Sequence, residues 1–260
     1  MSVPRWARAV WRRDLLLLRD TPWGLLLSLA STVLGVLVFG LLGRFVGRGT
    51  GYVTFVISGI VFLRVVDAVV QAPGQGLREE RSRGSLEVLV DAPQAPYALV
   101  LASGVVPAGR SLLEGVIAFG VASALFGADL APGWAGLVTV PLAVLGLLLL
   151  ALAAGLFLAA ASLQSRAATA AGSFFGLAIA MTAGVYYPRS ALPAWLQLAS
   201  EFSPFTVALG GLRAALTHDG ELVRDLAVTL GAAAALGVAG AALMTRAVRR
   251  ARRSGLFARG

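Results

Sequence analysis

WAGLVTVPLAVLGLLLLALAAGLFLAAAS, Trp134–Ser162, runs for 29 residues without one charged side chain. About 20 mostly apolar residues wound as a helix cross the roughly 30 Å of hydrocarbon in a bilayer, so this stretch reads as a membrane span. Five further runs repeat the pattern: Trp23 to Leu42, Tyr52 to Ala72, Val105 to Phe126, Ala167 to Tyr187 and Leu226 to Met244. The composition of the whole chain agrees. Of its 260 residues 58% are hydrophobic and 13% charged, with a mean hydropathy of +0.82, whereas a water-soluble domain takes about a quarter of its residues from Asp, Glu, Lys and Arg. The expected fold is an all-α polytopic membrane protein with six transmembrane helices, forming a single domain over residues 1–260.

The formal charge of +9 comes from 22 basic residues, every one an arginine, against 13 acidic ones. With both ends of the chain in the cytosol, fifteen arginines fall on the inside: Arg5, Arg8, Arg12, Arg13 and Arg19; Arg78, Arg81 and Arg83; Arg166; and Arg246, Arg249, Arg250, Arg252, Arg253 and Arg259. Five fall outside, namely Arg44, Arg48, Arg189, Arg213 and Arg224, and two, Arg64 and Arg110, lie within spans. Cytoplasmic loops carry the excess of positive charge, which puts both termini inside and makes the number of spans even. The same rule accounts for the basic tail, so no nucleic-acid partner is expected. A cleavable signal peptide fits the amino end poorly, because its basic region is long and no small-x-small site follows the apolar run.

Lys, Asn and Cys are absent, and His218 is the sole histidine. A P-loop needs its Lys to reach the β and γ phosphates, so the chain is not a Walker-type ATPase by itself. Disulfides, Cys-ligated zinc and thiol catalysis are excluded with Cys, and one histidine beside Asp219 and Glu221 reads as a wet loop and not a metal site. The bias toward Ala, Gly and Arg suggests a GC-rich bacterial genome.

Two segments outside the spans are patterned. In helical projection Arg5, Arg8, Arg12 and Arg19 share an arc of roughly 60°, with Val3, Trp6, Val10, Trp11, Leu17 and Leu18 opposite. Residues 1–21 therefore read as an interfacial helix, with Asp14 the exception inside its apolar arc. It is either a topology signal or a surface for an acidic partner. Between spans two and three, Leu77-Arg-Glu-Glu-Arg-Ser-Arg-Gly-Ser-Leu-Glu-Val-Leu-Val-Asp-Ala-Pro93 is the most polar stretch on the inner side. Its charges start directly after the apolar run, so span two should project outward as a helix to about Arg83, ending at Gly84. Ser85 can then cap a short amphipathic helix with Leu86, Leu89 and Val90 on one side and Glu87 and Asp91 on another, until Pro93 and Pro96 stop it. Its own chain offers nothing but membrane for it to pack on, which suits a docking element over residues 77–96.

The stretch Glu80-Arg81, Gly84-Ser85-Leu86-Glu87 and Leu89 to Pro93 resembles the E-R-x-x-G-T-L-E-x-L-L-x-x-P segment of type-2 ABC transporter permeases, which include daunorubicin-resistance, polysaccharide and lipo-oligosaccharide exporters. A second resemblance lies at Gly184-Val-Tyr-Tyr-Pro188, Leu192-Pro193-Ala-Trp195-Leu196-Gln197 and Pro204-Phe-Thr206 through Leu212-Arg213. Ser203 stands where the family often has Asn, and its frequent Lys entering the third span is missing. The resemblance implies a permease subunit without a cofactor of its own, working with a second permease copy, identical or paralogous, and a separate nucleotide-binding ABC ATPase that binds ATP and Mg. It also implies that Glu80, Arg81, Gly84, Ser85, Leu86, Glu87 and Leu89 dock that ATPase, that residues 187–215 form a re-entrant segment at the outer face, and that the complex exports a hydrophobic or amphipathic drug, lipid or glycolipid across the bacterial cell membrane.

Four ionisable residues lie within spans, each costing about 2.5 to 3.5 kcal/mol at the bilayer centre unless partnered. Arg64 and Asp67 are spaced i, i+3, and Arg110 and Glu114 i, i+4. At 1.5 Å per residue, Asp67 and Arg110 sit roughly 6 to 9 Å from the inner end, and Arg64 and Glu114 roughly 12 to 14 Å. These depths predict crossed pairs, Asp67 with Arg110 and Arg64 with Glu114, holding spans two and three together or contacting substrate. Gly172-Ser-Phe-Phe-Gly176 is a G-x-x-x-G and a candidate dimer contact. An ion-coupled secondary transporter using Asp67 and Glu114 is the alternative, although no internal repeat supports it.

Overall fold

Two helices of opposite character follow one another at the amino end, the first ending at Asp20 and the second starting at Pro22. The computed structural model describes residues 5–20, 22–45, 50–82, 96–127, 133–163, 166–217 and 221–253, and these are mostly helical with no strand among them. Helix α1, Arg5–Asp20, is the amphipathic amino-terminal segment. Its Arg8 and Arg12 are exposed, while the Trp11 indole Nε1–H donates to the Ala102 carbonyl at 3.1 Å. Helix α2, Pro22–Phe45, starts on a proline, which suits a first helical position because the missing N–H would have no partner there.

Helix α3, Thr50–Ser82, outruns its apolar segment by about three turns and carries Glu80 and Arg81 in its last turn. The other long helices are α5, Val105–Phe126; α6, Gly133–Ser162; and α10, Leu222–Arg253. Short helix α4, Pro96–Ala102, precedes α5. Pro96 was expected to stop a helix and opens one instead, for the same reason that Pro22 does. Residues Gly84, Ser85, Leu86, Glu87 and Leu89 of the expected docking helix lie outside the described residues, as do His218 and Asp219.

Among the described residues, five helices are long and apolar enough to cross a membrane: Leu26–Phe45, Gly51–Leu77, Val105–Phe126, Gly136–Ser162 and Leu222–Arg250. The expected fifth span, Ala167 to Tyr187, is helical only over α7, Arg166–Thr182, 17 residues, or about 26 Å of rise. The helix stops where Gly184 takes φ +70°, a left-handed conformation that costs glycine nothing. A 3-10 turn at Arg189–Ala191 and helices α8, Ala194–Phe202, and α9, Pro204–Thr217, then lead to α10.

Helix α3 is central. Phe62, Val65, Val66, Val69 and Val70 are buried in the main cluster with Leu147, Leu150 and Ala151 of α6 and Leu209 and Leu212 of α9. A second cluster, Leu156, Ala159 and Ala160 of α6 with Met244 and Val248 of α10, joins those two helices. Val53, Ile57 and Val61 of α3 meet Val36 of α2 and Ala118 and Ala122 of α5 in a third. The outer helices leave large apolar side chains uncovered, among them Leu27 and Leu34 of α2, Val116 of α5 and Val238 of α10. An apolar outer surface over an apolar core is the pattern of a bundle whose solvent is lipid.

Candidate functional site

A cavity of about 560 Å³ opens among α1, α2, α3, α5 and α7, at the end of the bundle where α1 lies. Its volume falls within the range typical of small-ligand pockets, roughly 300 to 1,000 Å³. Three guanidinium groups, Arg13, Arg64 and Arg110, and three carboxylates, Asp14, Asp67 and Glu114, line it. Most of the charge that the sequence places inside spans therefore converges on one space.

The pairing differs from the crossed arrangement that depth alone predicts. Arg110 Nε donates to Glu114 Oε1 at 2.8 Å along its own helix, with Glu114 8% exposed and Arg110 29%. Ser28 Oγ of α2 donates to the other carboxylate oxygen at 3.0 Å, and Arg110 Nη2 reaches the Gly24 carbonyl at 3.3 Å. Arg64 turns away from Glu114 and donates from Nη2 to Ser31 Oγ at 2.9 Å. The cause is azimuth. Helices α3 and α5 touch along Val61, Ala118 and Ala122, so the charged faces of both point into the cavity and not at each other. An i, i+4 partner on the same helix is then the nearer one.

Arg64 and Asp67 form no ion pair among the described residues, although each lies in the other's field. The Asp67 carboxylate rests on the bare backbone of Gly176 in α7, where an added Cβ would overlap Asp67 Oδ1. The second glycine of the expected dimer motif is thus spent inside the chain. It brings α7 against α3 and leaves room for a carboxylate. Gly172 lies one turn earlier in α7. At the mouth, Arg13 pairs with its neighbour Asp14 at 3.0 Å; Asp14, the exception in the apolar arc of α1, faces the cavity.

The opposite end of α3 is tied shut by a residue that charge counting placed among the outside arginines. Arg213 of α9 donates from Nε to Ser58 Oγ at 3.2 Å and from Nη2 to the carbonyls of Phe55 at 3.0 Å, Gly184 at 3.1 Å and Val185 at 3.4 Å. Its guanidinium stacks 3.6 Å above the Phe55 ring. The loop after α7 is pressed onto α3 so closely that a Cβ on Gly59 would overlap the Val185 carbonyl. Phe39 of α2 stacks on Tyr186 with ring centroids 5.0 Å apart, and Thr206 Oγ1 donates to the Thr182 carbonyl at 3.3 Å. Helices α2, α3, α7 and α9 are thereby joined around one cation. The signal in the sequence was a lone Arg within the otherwise apolar run Pro204–Leu216; what it binds depends on contacts more than 150 residues away, |i−j| being 155 and 158 for Ser58 and Phe55.

The sequence pattern of the ABC-2 type transporter family matches residues 6–217 of the chain. That range runs from the first turn of α1 to the last residue of α9, so it takes in both the cavity and the Arg213 tie. No curated protein matches the chain.

Proposed function

Because this chain belongs to the ABC-2 type transporter family, we propose that it is the permease subunit of an ATP-driven exporter. It would be energised by a separate nucleotide-binding subunit, completed by a second permease copy, and would move a hydrophobic or amphipathic substrate out of a bacterial cell. The observation that carries this reading is the asymmetry of the bundle. A charged cavity lies open at the α1 end, while the other end is bound together around Arg213. With fifteen arginines on the α1 side against five on the other, the open end faces the cytosol. A substrate would enter there and wait behind a closed outer end. Arg64, Asp67, Arg110 and Glu114 would line the entry, α1 would lie in the inner interface, and residues 187–215 would form the outer re-entrant segment that makes the count of true spans six with α7.

Coupling would run through α3. That helix continues from the cavity wall to Ser82, directly before Gly84, Ser85, Leu86, Glu87 and Leu89, so a push on the docking stretch would act on the helix that carries Asp67 and Phe55. Two discrete arrangements of packed helices are the usual way such a push becomes a gate. The ion-coupled alternative has lost one of its two carboxylates, because Glu114 is engaged by Arg110 and Ser28.

The test is co-purification. The chain should be produced with the product of a neighbouring reading frame that contains G-x-x-x-x-G-K-[ST], and the two should elute together. Leu86→Asp combined with Glu87→Arg should weaken the association by about tenfold or more, the loss expected when a buried anchor of an interface is removed. If the intact chain does not hold the ATPase, the exporter reading fails.

A further inference from the structure

We propose that the cavity at the α1 end is a binding site for a zwitterionic amphiphile, its anionic group held by Arg64 and its ammonium group by Asp67. This deepens the permease reading and rests on it only for what happens to the ligand afterwards.

The charges of the cavity are unequally engaged. Arg13 has Asp14 beside it, and Arg110 has Glu114, which also accepts from Ser28. What remains is one cation and one anion on a single face of α3. Among the described residues Arg64 makes one hydrogen bond, to Ser31 Oγ, and a guanidinium has five N–H donors in a planar fork suited to phosphate or carboxylate. Asp67 forms no ion pair among the described residues and has up to four acceptor positions when ionised. Residues three apart on a helix have Cβ atoms about 5 to 6 Å apart, which is about the reach of a molecule carrying its opposite charges a few bonds from each other.

The sign of the ligand follows from desolvation. A purely anionic guest would satisfy Arg64 and set its charge beside Asp67; a purely cationic one would do the reverse. In either case a partly buried like-charged group is left facing the guest, and such contacts are costly. A zwitterion laid antiparallel to Arg64 and Asp67 satisfies both. The apolar part of the ligand has its own wall: Val106 and Pro107 line the cavity, and Leu177, next to Gly176, lines it while remaining 60% exposed. The head would therefore sit among charges with its tails emerging past α7 toward lipid.

Gly176 makes the assignment testable without altering any charge. A methyl group there would overlap Asp67 Oδ1, the end of a flexible side chain, so Gly176→Ala should displace the carboxylate and leave the fold intact. The purified full-length chain in maltoside micelles would be titrated with three probes: dihexanoyl phosphatidylethanolamine, dihexanoyl phosphatidylglycerol and tail-less glycerophosphoethanolamine. Binding would be counted by native mass spectrometry. The wild type should prefer the ethanolamine lipid to the glycerol lipid by about tenfold, the scale of one additional partly desolvated ion pair. Asp67→Asn and Gly176→Ala should each reduce that preference to about twofold or less, and Arg64→Gln should weaken both phospholipids, as expected when a group that recognises the ligand's charge is removed. Glycerophosphoethanolamine binding as well as the lipid would make the ligand a soluble zwitterion; binding much more weakly would make it an amphiphile of the bilayer, as proposed here. Equal affinity for the two lipids in the wild type, or a preference that survives both Asp67→Asn and Gly176→Ala, overturns the site. Because no ATPase is present, the outcome is separable from the co-purification test: lipid preference without ATPase capture keeps the site and removes the exporter, and the converse removes only the site.

Discussion

Arg213→Ala should cost the protein about 3 to 5 kcal/mol of stability, the largest loss expected from a single side chain here, given about 0.6 to 1.7 kcal/mol for a hydrogen bond within a membrane protein and more where the donor is charged. Four acceptors, Ser58 Oγ and the carbonyls of Phe55, Gly184 and Val185, lose the guanidinium together, although the Phe55 carbonyl keeps the Ser58 hydroxyl as a donor, and the Phe55 ring loses the cation above it. In a thermal melt in detergent the midpoint should fall by roughly 10 °C, at a few degrees per kcal/mol for a chain of this size. Arg213→Lys keeps the charge but not the planar fork or the stacking, and should recover less than half of the loss. Arg44→Ala is the control. Arg44 also donates to a carbonyl, that of Leu125 at 2.7 Å, but it is exposed, and its removal should shift the midpoint by no more than about 1 kcal/mol equivalent. A wild-type melt for Arg213→Ala would mean that the outer end is held by packing alone. If the tie also keeps the outer end closed, a milder variant, Ser58→Ala, should make a cysteine introduced at position 185 more reactive toward a water-soluble maleimide.

The second large effect concerns Arg110 and Glu114. Removing either partner leaves a charge in a partly buried site, at about 3 kcal/mol or more, whereas replacing both by apolar residues of similar size is often neutral or better. Arg110→Met and Glu114→Met should each lower yield and melting temperature, and the double variant should restore most of both. A double-mutant cycle makes this quantitative. Arg110 with Glu114 should couple by at least about 1 kcal/mol, and Arg64 with Glu114 by less than about 0.5 kcal/mol, the usual scatter for sites that share no contact. Strong coupling of Arg64 to Glu114 would restore the crossed pairing between α3 and α5 and overturn the geometry described above.

Residues that act through composition and period were legible from the sequence. Val105–Phe126 begins and ends where its hydropathy does, and α6, Gly133–Ser162, lies within the uncharged run from Leu130 to Ser165, since apolar length and helical hydrogen bonding are both properties of a continuous segment. The start of α2 at Pro22 and the extension of α3 to Ser82 likewise follow from a proline and from charges that continue a helical pattern. Legibility fails where a partner lies elsewhere in the chain. Ala167 to Tyr187 reads as one span, yet α7 stops at Thr182 because Gly184 turns so that Val185 can press onto Gly59 of α3. Gly176 reads as a dimer motif, yet it receives the Asp67 carboxylate. Depth along two helices, computed from rise, is correct as a distance and silent about which way a side chain points.

The amino-acid sequence by itself determined that this protein lives in a bilayer, where the apolar middles of its long helices lie, and which few charges its spans would have to accommodate. Those properties follow from the cost of exposing apolar surface to water and backbone amides to lipid, which acts on each segment separately. Tertiary structure decided what the charges do. Rotation of α3 and α5 about their shared apolar seam turned four intramembrane residues into the wall of a cavity, and a chain return after α7 made Arg213 into a buried tie. Azimuth and long-range closure are set by packing between segments, and no local pattern encodes them.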